Sequence, residues 1–263
     1  MRRRTIRRIV AAGVAMAVAV LLLAGLPSGI DAQEAEVWPW MRVDIVQVLP
    51  RELDEYIEIQ LEEVNPGLRR AGVPWRSAWS TAEFGNTYER HFVTPIGSMG
   101  EYDTGGPLAR AMDPDRLARI RDRVRRTLAS RQSYAIQYHP ELSVESDDVS
   151  GLSLARVTTV QVAPGRVSDW RSFLLDNVPQ FEAANVVFGV YERYFGPGPS
   201  TWQIVENHAS FAELDEPGIL ARTFGERVDE VASQLSGMLL SVERTVLRYD
   251  PELSFSAAAG GSQ

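Results

Sequence analysis

The polar residues whose types and spacing suit chemistry lie in two short segments, Tyr88–His91 and Trp202–His208. Both segments have the alternating composition of β-strands, and alternate side chains of a strand share a face. Glu89 therefore lies beside His91, and the acidic side chain of the second segment shares a face with His208. A histidine next to a carboxylate can act as a general base on an acidic C–H group or a phenol. His91 and His208 are the candidate catalytic residues.

Aromatic side chains are concentrated around the same two segments, in greater number than the core of a small sheet requires. If these faces turn inward, they form a pocket for an apolar or aromatic ligand. The alternative is that the side chains point to solvent or make structural contacts, because an error of one residue in a strand inverts its faces. The candidate ligand-binding residues are Trp79, Glu89, Tyr191, Trp202 and Glu206.

Several classes of chemistry are excluded by composition. The chain has no cysteine, and all 27 of its basic residues are arginine. Disulfides, thiolate catalysis and iron–sulfur clusters are therefore excluded, as are Schiff-base chemistry and a P-loop. No two of the three histidines have the spacing of metal ligands. We expect no metal and no cofactor.

The first 32 residues have the pattern of a signal peptide. Five arginines precede an apolar run, Ile9–Leu26, and a small residue, Ala32, stands at a possible cleavage site. The protein is therefore predicted to be exported, either periplasmic or secreted; if the segment is not cleaved, it anchors the chain in a membrane. Its removal takes away five arginines and one aspartate, which changes the net charge from −8 to −12. Such an acidic protein is not expected to bind nucleic acid.

The chain contains an internal duplication. Ser98–Arg110 and Ser210–Arg222 are identical at seven of thirteen positions, at an offset of 112 residues. Two shorter segments repeat at nearly the same offset. We therefore interpret the chain as two copies of one unit. The predicted units are 41–144 and 155–255, joined by a linker at 145–154 and followed by a disordered tail at 256–263.

Each unit has the predicted order strand, helix, strand, strand, helix, strand. The hydrophobic periodicity extends the second helix of the first unit to Arg131, and that of the second unit to Val242. A βαββαβ unit of this size has the ferredoxin-like fold. The predicted fold class is therefore α+β, with two tandem ferredoxin-like units packed sheet to sheet as an intramolecular α/β barrel.

Two such units, each opening on a strand in which Val-Gln-Val precedes a proline, resemble the dimeric α/β-barrel superfamily. The similarity covers about Arg42 to Phe255. That superfamily includes the antibiotic-biosynthesis monooxygenase, NIPSNAP and stress-responsive barrel families and the haem-binding chlorite dismutases. The resemblance implies a pocket inside the barrel. It also raises haem as an alternative, for which His91 or His208 would be the axial ligand.

Three functions follow as hypotheses, and the sequence leaves open whether there is catalysis. The first is binding of a small apolar or aromatic molecule between the two sheets. The second is a cofactor-independent monooxygenase or isomerase with a histidine base. The third is a structural or partner-binding module whose barrel is filled by side chains. Because one chain carries both units, it is expected to close its own barrel as a monomer.

Overall fold

The computed structural model describes residues 40–146, 153–198 and 200–256. The predicted signal peptide, most of the predicted linker and the tail beyond Ser256 lie outside the described residues. Within the described ranges, no helix has both the length and the apolar character needed to cross a bilayer.

The first unit contributes four antiparallel strands. They are β1 (Trp40–Val48), β2 (Trp75–Thr81), β3 (Glu89–Ile96) and β4 (Leu128–Tyr138). Their order across the sheet is β4-β1-β3-β2. This is the ferredoxin-like arrangement, in which the first and third strands of the unit occupy the centre.

The second unit repeats that arrangement. Its strands are β5 (Leu154–Val162), β6 (Gly189–Phe195), β7 (Thr201–His208) and β8 (Leu239–Tyr249). They lie in the order β8-β5-β7-β6, the same order as in the first unit. The predicted fold class, two tandem ferredoxin-like units, is confirmed.

The two sheets join at both edges, so that the eight strands form a closed antiparallel barrel. At one junction β4 pairs with β6, where Tyr138 is opposite Tyr191. At the other, β8 pairs with β2, where Tyr249 is opposite Trp79. Closure pairs the backbone N–H and C=O groups of the edge strands, which a lone four-stranded sheet would leave exposed. A two-residue strand, β9 (Phe255–Ser256), adds to β2, so Ser256 is part of the sheet and not of the tail.

The helices cover the outside of the barrel. In the first unit α1 (Leu53–Ile59) continues through a π-helical turn, Gln60–Val64, into α2 (Asn65–Arg70). Pro66 lies just after that turn. Because proline has no N–H, it cannot form the regular bond to the preceding turn, and the wider π-helical turn accommodates the loss.

The remaining helices of the first unit are α3 (Pro107–Ala111) and α4 (Pro114–Thr127). The predicted extension of α4 to Arg131 is wrong. Strand β4 begins at Leu128, and its first residues pair with β1. The helical spacing of apolar residues continues past Thr127. The residues that follow nevertheless adopt strand conformation, because they form hydrogen bonds with β1.

The second unit carries α5 (Val167–Ala183), α6 (Ile219–Phe224) and α7 (Val228–Ser236). The predicted long helix to Val242 is also wrong, and for the same reason: Val242 lies on β8, opposite Val160 of β5. The main apolar cluster of this unit lies between its sheet and these helices, and it includes Trp170, Phe181 and Phe188.

The duplicated segments form equivalent loops after β3 and β7. In the first loop Ser98 and Glu101 form a capping box, and Glu101 also accepts a hydrogen bond from the backbone N–H of Gly97. In the second, Glu213 accepts one from the backbone N–H of Ala209 at 3.1 Å. The strongest sequence repeat therefore preserves a loop conformation on the outside of the barrel.

Candidate functional site

A cavity of about 400 Å³ occupies the barrel interior, within the usual size range of small-molecule sites. All eight strands contribute side chains to its walls. One end is apolar, with Met41, Ile136 and Leu247, whereas the other end is polar, with Gln132 and Gln161. The interior is therefore not filled by side chains.

Equivalent positions of the two units face each other across the interior, but their residues have diverged. His91 on β3 corresponds to Gln203 on β7, since each pairs with the aromatic residue of the neighbouring strand. That aromatic residue is Trp79 in the first unit and Tyr191 in the second. Only the first unit therefore supplies a titratable base at this level of the barrel.

His91 forms a close pair with Glu89 on the inner face of β3. The distance between Nε2 of His91 and Oε1 of Glu89 is 2.7 Å, and Nδ2 of Asn86 donates to the other carboxylate oxygen at 3.0 Å. The hydrogen bond from His91 lowers the pKa of Glu89, so the carboxylate is ionised at neutral pH. An ionised carboxylate only accepts, so Nε2 of His91 must carry a proton. In the neutral imidazole the basic atom is then Nδ1.

A second polar group lies on the wall formed by β4, β6 and β7. Nε2 of Gln203 donates to the hydroxyl oxygen of Tyr134 at 3.1 Å. The guanidinium carbon of Arg193 lies 4.0 Å from the centre of the Tyr134 ring. Burial raises the pKa of Tyr134, so its hydroxyl keeps a proton at neutral pH and can donate it.

The structure separates the predicted site residues into two groups. Trp79, Glu89, His91 and Tyr191 line the barrel cavity. The second predicted group faces the opposite way, toward the helices and loops outside the barrel, and consists of Trp202, Glu206 and His208. The inward residues of β7 are Thr201, Gln203 and Val205. The expected inward face of this strand is therefore wrong by one residue, and His91 and His208 do not share a site.

The outward residues of β7 have structural surroundings. Trp202 is completely buried, and its ring lies 5.2 Å from that of His139. Glu206 accepts two hydrogen bonds from Arg156, at 2.7 and 2.5 Å. Nδ1 of His208 lies 3.5 Å from Glu213.

A second cavity, of about 830 Å³, lies outside the barrel between the second sheet and helices α5–α7. Aromatic side chains form much of its wall, including Trp170, Phe173 and Phe188. The ion pair between Arg156 and Glu206 lies at its polar edge. The described residues that line this cavity include no histidine. The histidine–carboxylate chemistry that the sequence predicts therefore belongs to the barrel interior.

No family model matches the chain, and no curated protein sequence matches it. Solved structures do. An anthrone oxidase-like protein superposes with a TM-score of 0.59 at 11% identity, over 85% of this chain and 95% of that one. A provisionally assigned monooxygenase from Lactobacillus acidophilus gives 0.53 at 12% identity, over 84% and 97%. A mutant chlorite dismutase from Candidatus Nitrospira defluvii gives 0.51 at 8%, over 82% and 93%.

The chain shares the barrel fold of these structures. Identities this low establish the fold alone and carry no assignment to a family.

The haem alternative can be tested for the outer cavity, which lies on the side of the second sheet that His208 faces. A haem iron needs an axial histidine, cysteine, methionine or tyrosine. The described residues lining the outer cavity include none of these, and His208 is not among them. The outer cavity therefore does not fit a haem. Among the described residues, no group of three or more acidic or histidine side chains is arranged to hold a metal ion.

Three residues of the site were missed by the sequence analysis, namely Tyr134, Arg193 and Gln203. A signal existed for Arg193, because it lies two residues after Tyr191 and shares its face. Gln203 was missed because its neighbour Trp202 was assigned to the inner face. Tyr134 lies on β4, and the sequence gives no means of choosing which face of that strand turns inward.

Proposed function

We propose that the protein binds a small aromatic molecule inside the barrel and that His91, oriented by Glu89, removes a proton from it. The observation that carries the proposal is the 2.7 Å contact between the two side chains on the wall of a cavity of about 400 Å³. Glu89 holds the proton of the imidazole on Nε2, which leaves Nδ1 to act as the base. Trp79, Tyr134 and Tyr191 supply aromatic walls.

The corresponding reaction is a cofactor-independent oxidation by O₂. Nδ1 takes a proton from an acidic C–H group, and the resulting carbanion gives its electrons to O₂ and forms a peroxide at that carbon. The imidazolium returns a proton to the peroxide. Loss of the second proton from the same carbon, together with hydroxide, then gives a ketone and water. The similarity to an anthrone oxidase-like protein and to provisionally assigned monooxygenases supports this choice of substrate and oxidant.

Anthrone is a suitable probe, because it is aromatic and its CH₂ group is acidic. Exchange of that CH₂ with D₂O, followed by NMR, reports proton removal; O₂ uptake reports oxidation. Both are measured above the buffer background. We expect His91→Gln to lower both rates by a factor of about 10² or more, and Glu89→Gln to lower them less. His208→Gln is the matched control, since that histidine faces away from the barrel interior, and it should change the rates little.

The outcomes separate the hypotheses. Exchange without O₂ uptake would indicate an isomerase that returns the proton to carbon. Binding without exchange, seen by calorimetry, would leave a ligand carrier. Equal losses in the His91 and His208 variants would contradict the assignment of the base.

A further inference from the structure

We infer that the molecule bound in the barrel is a carboxylate, and that Arg193 holds its anionic group. This inference rests on the proposed function and names the substrate class of the same site. Arg193 lies on the inner face of β6 and is the one arginine among the described residues lining the barrel cavity. Its side chain is half-buried, so the guanidinium has lost part of its hydration and would gain from an anionic group on a ligand.

No described carboxylate forms an ion pair with Arg193. Glu243 also lines the cavity, but its side chain is exposed and is not paired with this guanidinium. The guanidinium of Arg193 donates through Nη1 to the backbone oxygen of Pro197 at 2.7 Å, but its Nε is buried without a hydrogen-bond partner. The adjacent carboxylate, Glu192, lies on the other face of the strand, 3.3 Å from His139. Glu89 is already bound by His91 and Asn86.

The surroundings of Arg193 suit a carboxylate. A guanidinium binds the two oxygens of a carboxylate through parallel N–H groups, and its flat face packs on an aromatic ring, as Arg193 does on Tyr134. The hydroxyl of Tyr134 accepts from Gln203, so its own proton is available for a ligand oxygen. Two donors therefore converge on one region of the wall.

The duplication supports a ligand with two different ends. The position of Arg193 corresponds to Thr81 in the first unit, and that of His91 corresponds to Gln203 in the second. The cation therefore comes from one unit and the base from the other. Strands β3 and β6 are three steps apart in the ring, which is about 14 Å along the sheet. An aromatic acid placed between them would direct its carboxylate to Arg193 and its acidic C–H or phenol group to His91.

Calorimetry with matched pairs of acids and amides tests the inference. Benzoate, 4-hydroxybenzoate and 2-naphthoate are each compared with the corresponding neutral amide. We expect at least one acid to bind the unmodified protein more tightly than its amide, and Arg193→Gln to weaken the acid by a factor of about 10 or more. The same variant should leave amide binding within about twofold, since the amide has no net charge to pair with the guanidinium and its oxygen can also accept from glutamine. Arg244→Gln, on the outer face of β8, controls for the loss of a positive charge.

Each outcome of these titrations supports or contradicts the carboxylate inference. Amides that bind as tightly as the acids overturn the carboxylate assignment and leave the proposed barrel site intact, and this comparison needs no variant. Equal weakening of acid and amide by Arg193→Gln overturns it as well. If neither acids nor amides bind, while the protein is folded by circular dichroism, this inference fails, and the anthrone measurements alone decide the proposed function.

Discussion

Burial of His208 makes the stability of the folded protein depend on pH. Its side chain is only 9% exposed, and burial lowers its pKa from the ordinary value. The charged groups that act on it are Glu206 and Glu213, which favour its protonation, and Arg156 and Arg222, which oppose it. Desolvation is the largest effect, so the folded protein holds this imidazole neutral at a pH where the unfolded chain already binds a proton.

The sign of the pH dependence follows from that difference. Below the unfolded pKa of about 6.5 the unfolded state binds more protons than the folded state, so the stability decreases as the pH falls. We expect the free energy of unfolding of the unmodified protein to fall between pH 7 and pH 5 more steeply than that of His208→Gln. Denaturant titrations of both proteins across this range provide the measurement. Parallel curves would contradict the assigned burial effect.

At the scale of elements, the β6–β7 hairpin connects the second unit to the cavity wall of the first. Gly196 at this hairpin has a φ of +128°, a conformation that side chains other than glycine rarely adopt. A Cβ atom here would collide with the Cβ of Tyr134 and lie 3.2 Å from its Cα. The glycine therefore allows the hairpin to approach β4 closely beside a residue of the candidate site.

Replacing this glycine should cost both backbone strain and a steric clash. We expect Gly196→Ala to lower the free energy of unfolding by about 3 kcal/mol and to weaken ligand binding in the barrel through displacement of Tyr134. Gly165→Ala is the matched control. Its φ is also positive, at +78°, but no atom lies within 4 Å of the added Cβ. That variant should lose about 1 kcal/mol from strain alone. Similar losses of unfolding free energy in the two variants would show that the steric clash with Tyr134 does not lower stability.

At the scale of the whole molecule, both junctions of the barrel lie within one chain. Strand β4 pairs with β6, and β8 pairs with β2, so each unit satisfies the edge strands of the other. A chain with only one such unit would need a second chain for this. Here the second copy along the sequence takes that place.

We therefore expect the protein to be a monomer in solution. Sedimentation equilibrium over a wide concentration range should give the mass of one chain, and thermal unfolding should not depend on protein concentration. A dimer that loses its structure on dilution would contradict this expectation and would require a further interface outside the barrel junctions.

The sequence by itself determined the duplication, the order of the strands and helices, and from these the ferredoxin-like fold of each unit. These features are local or periodic, so they can be recognised without knowing which segments meet. The pairing of Glu89 with His91 on one strand face was predictable for the same reason. The predicted export signal also rests on the sequence alone, since residues 1–39 lie outside the described part of the structure.

Only the tertiary structure decided which strand faces turn inward and where the second helix of each unit ends. Alternation along β7 is equally strong in either phase, and the burial of Trp202 under the helices of the second unit places Gln203 in the cavity. Residues 128–131 and Val242 form strand because β1 and β5 offer hydrogen bonds. The meeting of His91 with Arg193 in one cavity depends on barrel closure, which brings together residues about a hundred positions apart in the sequence.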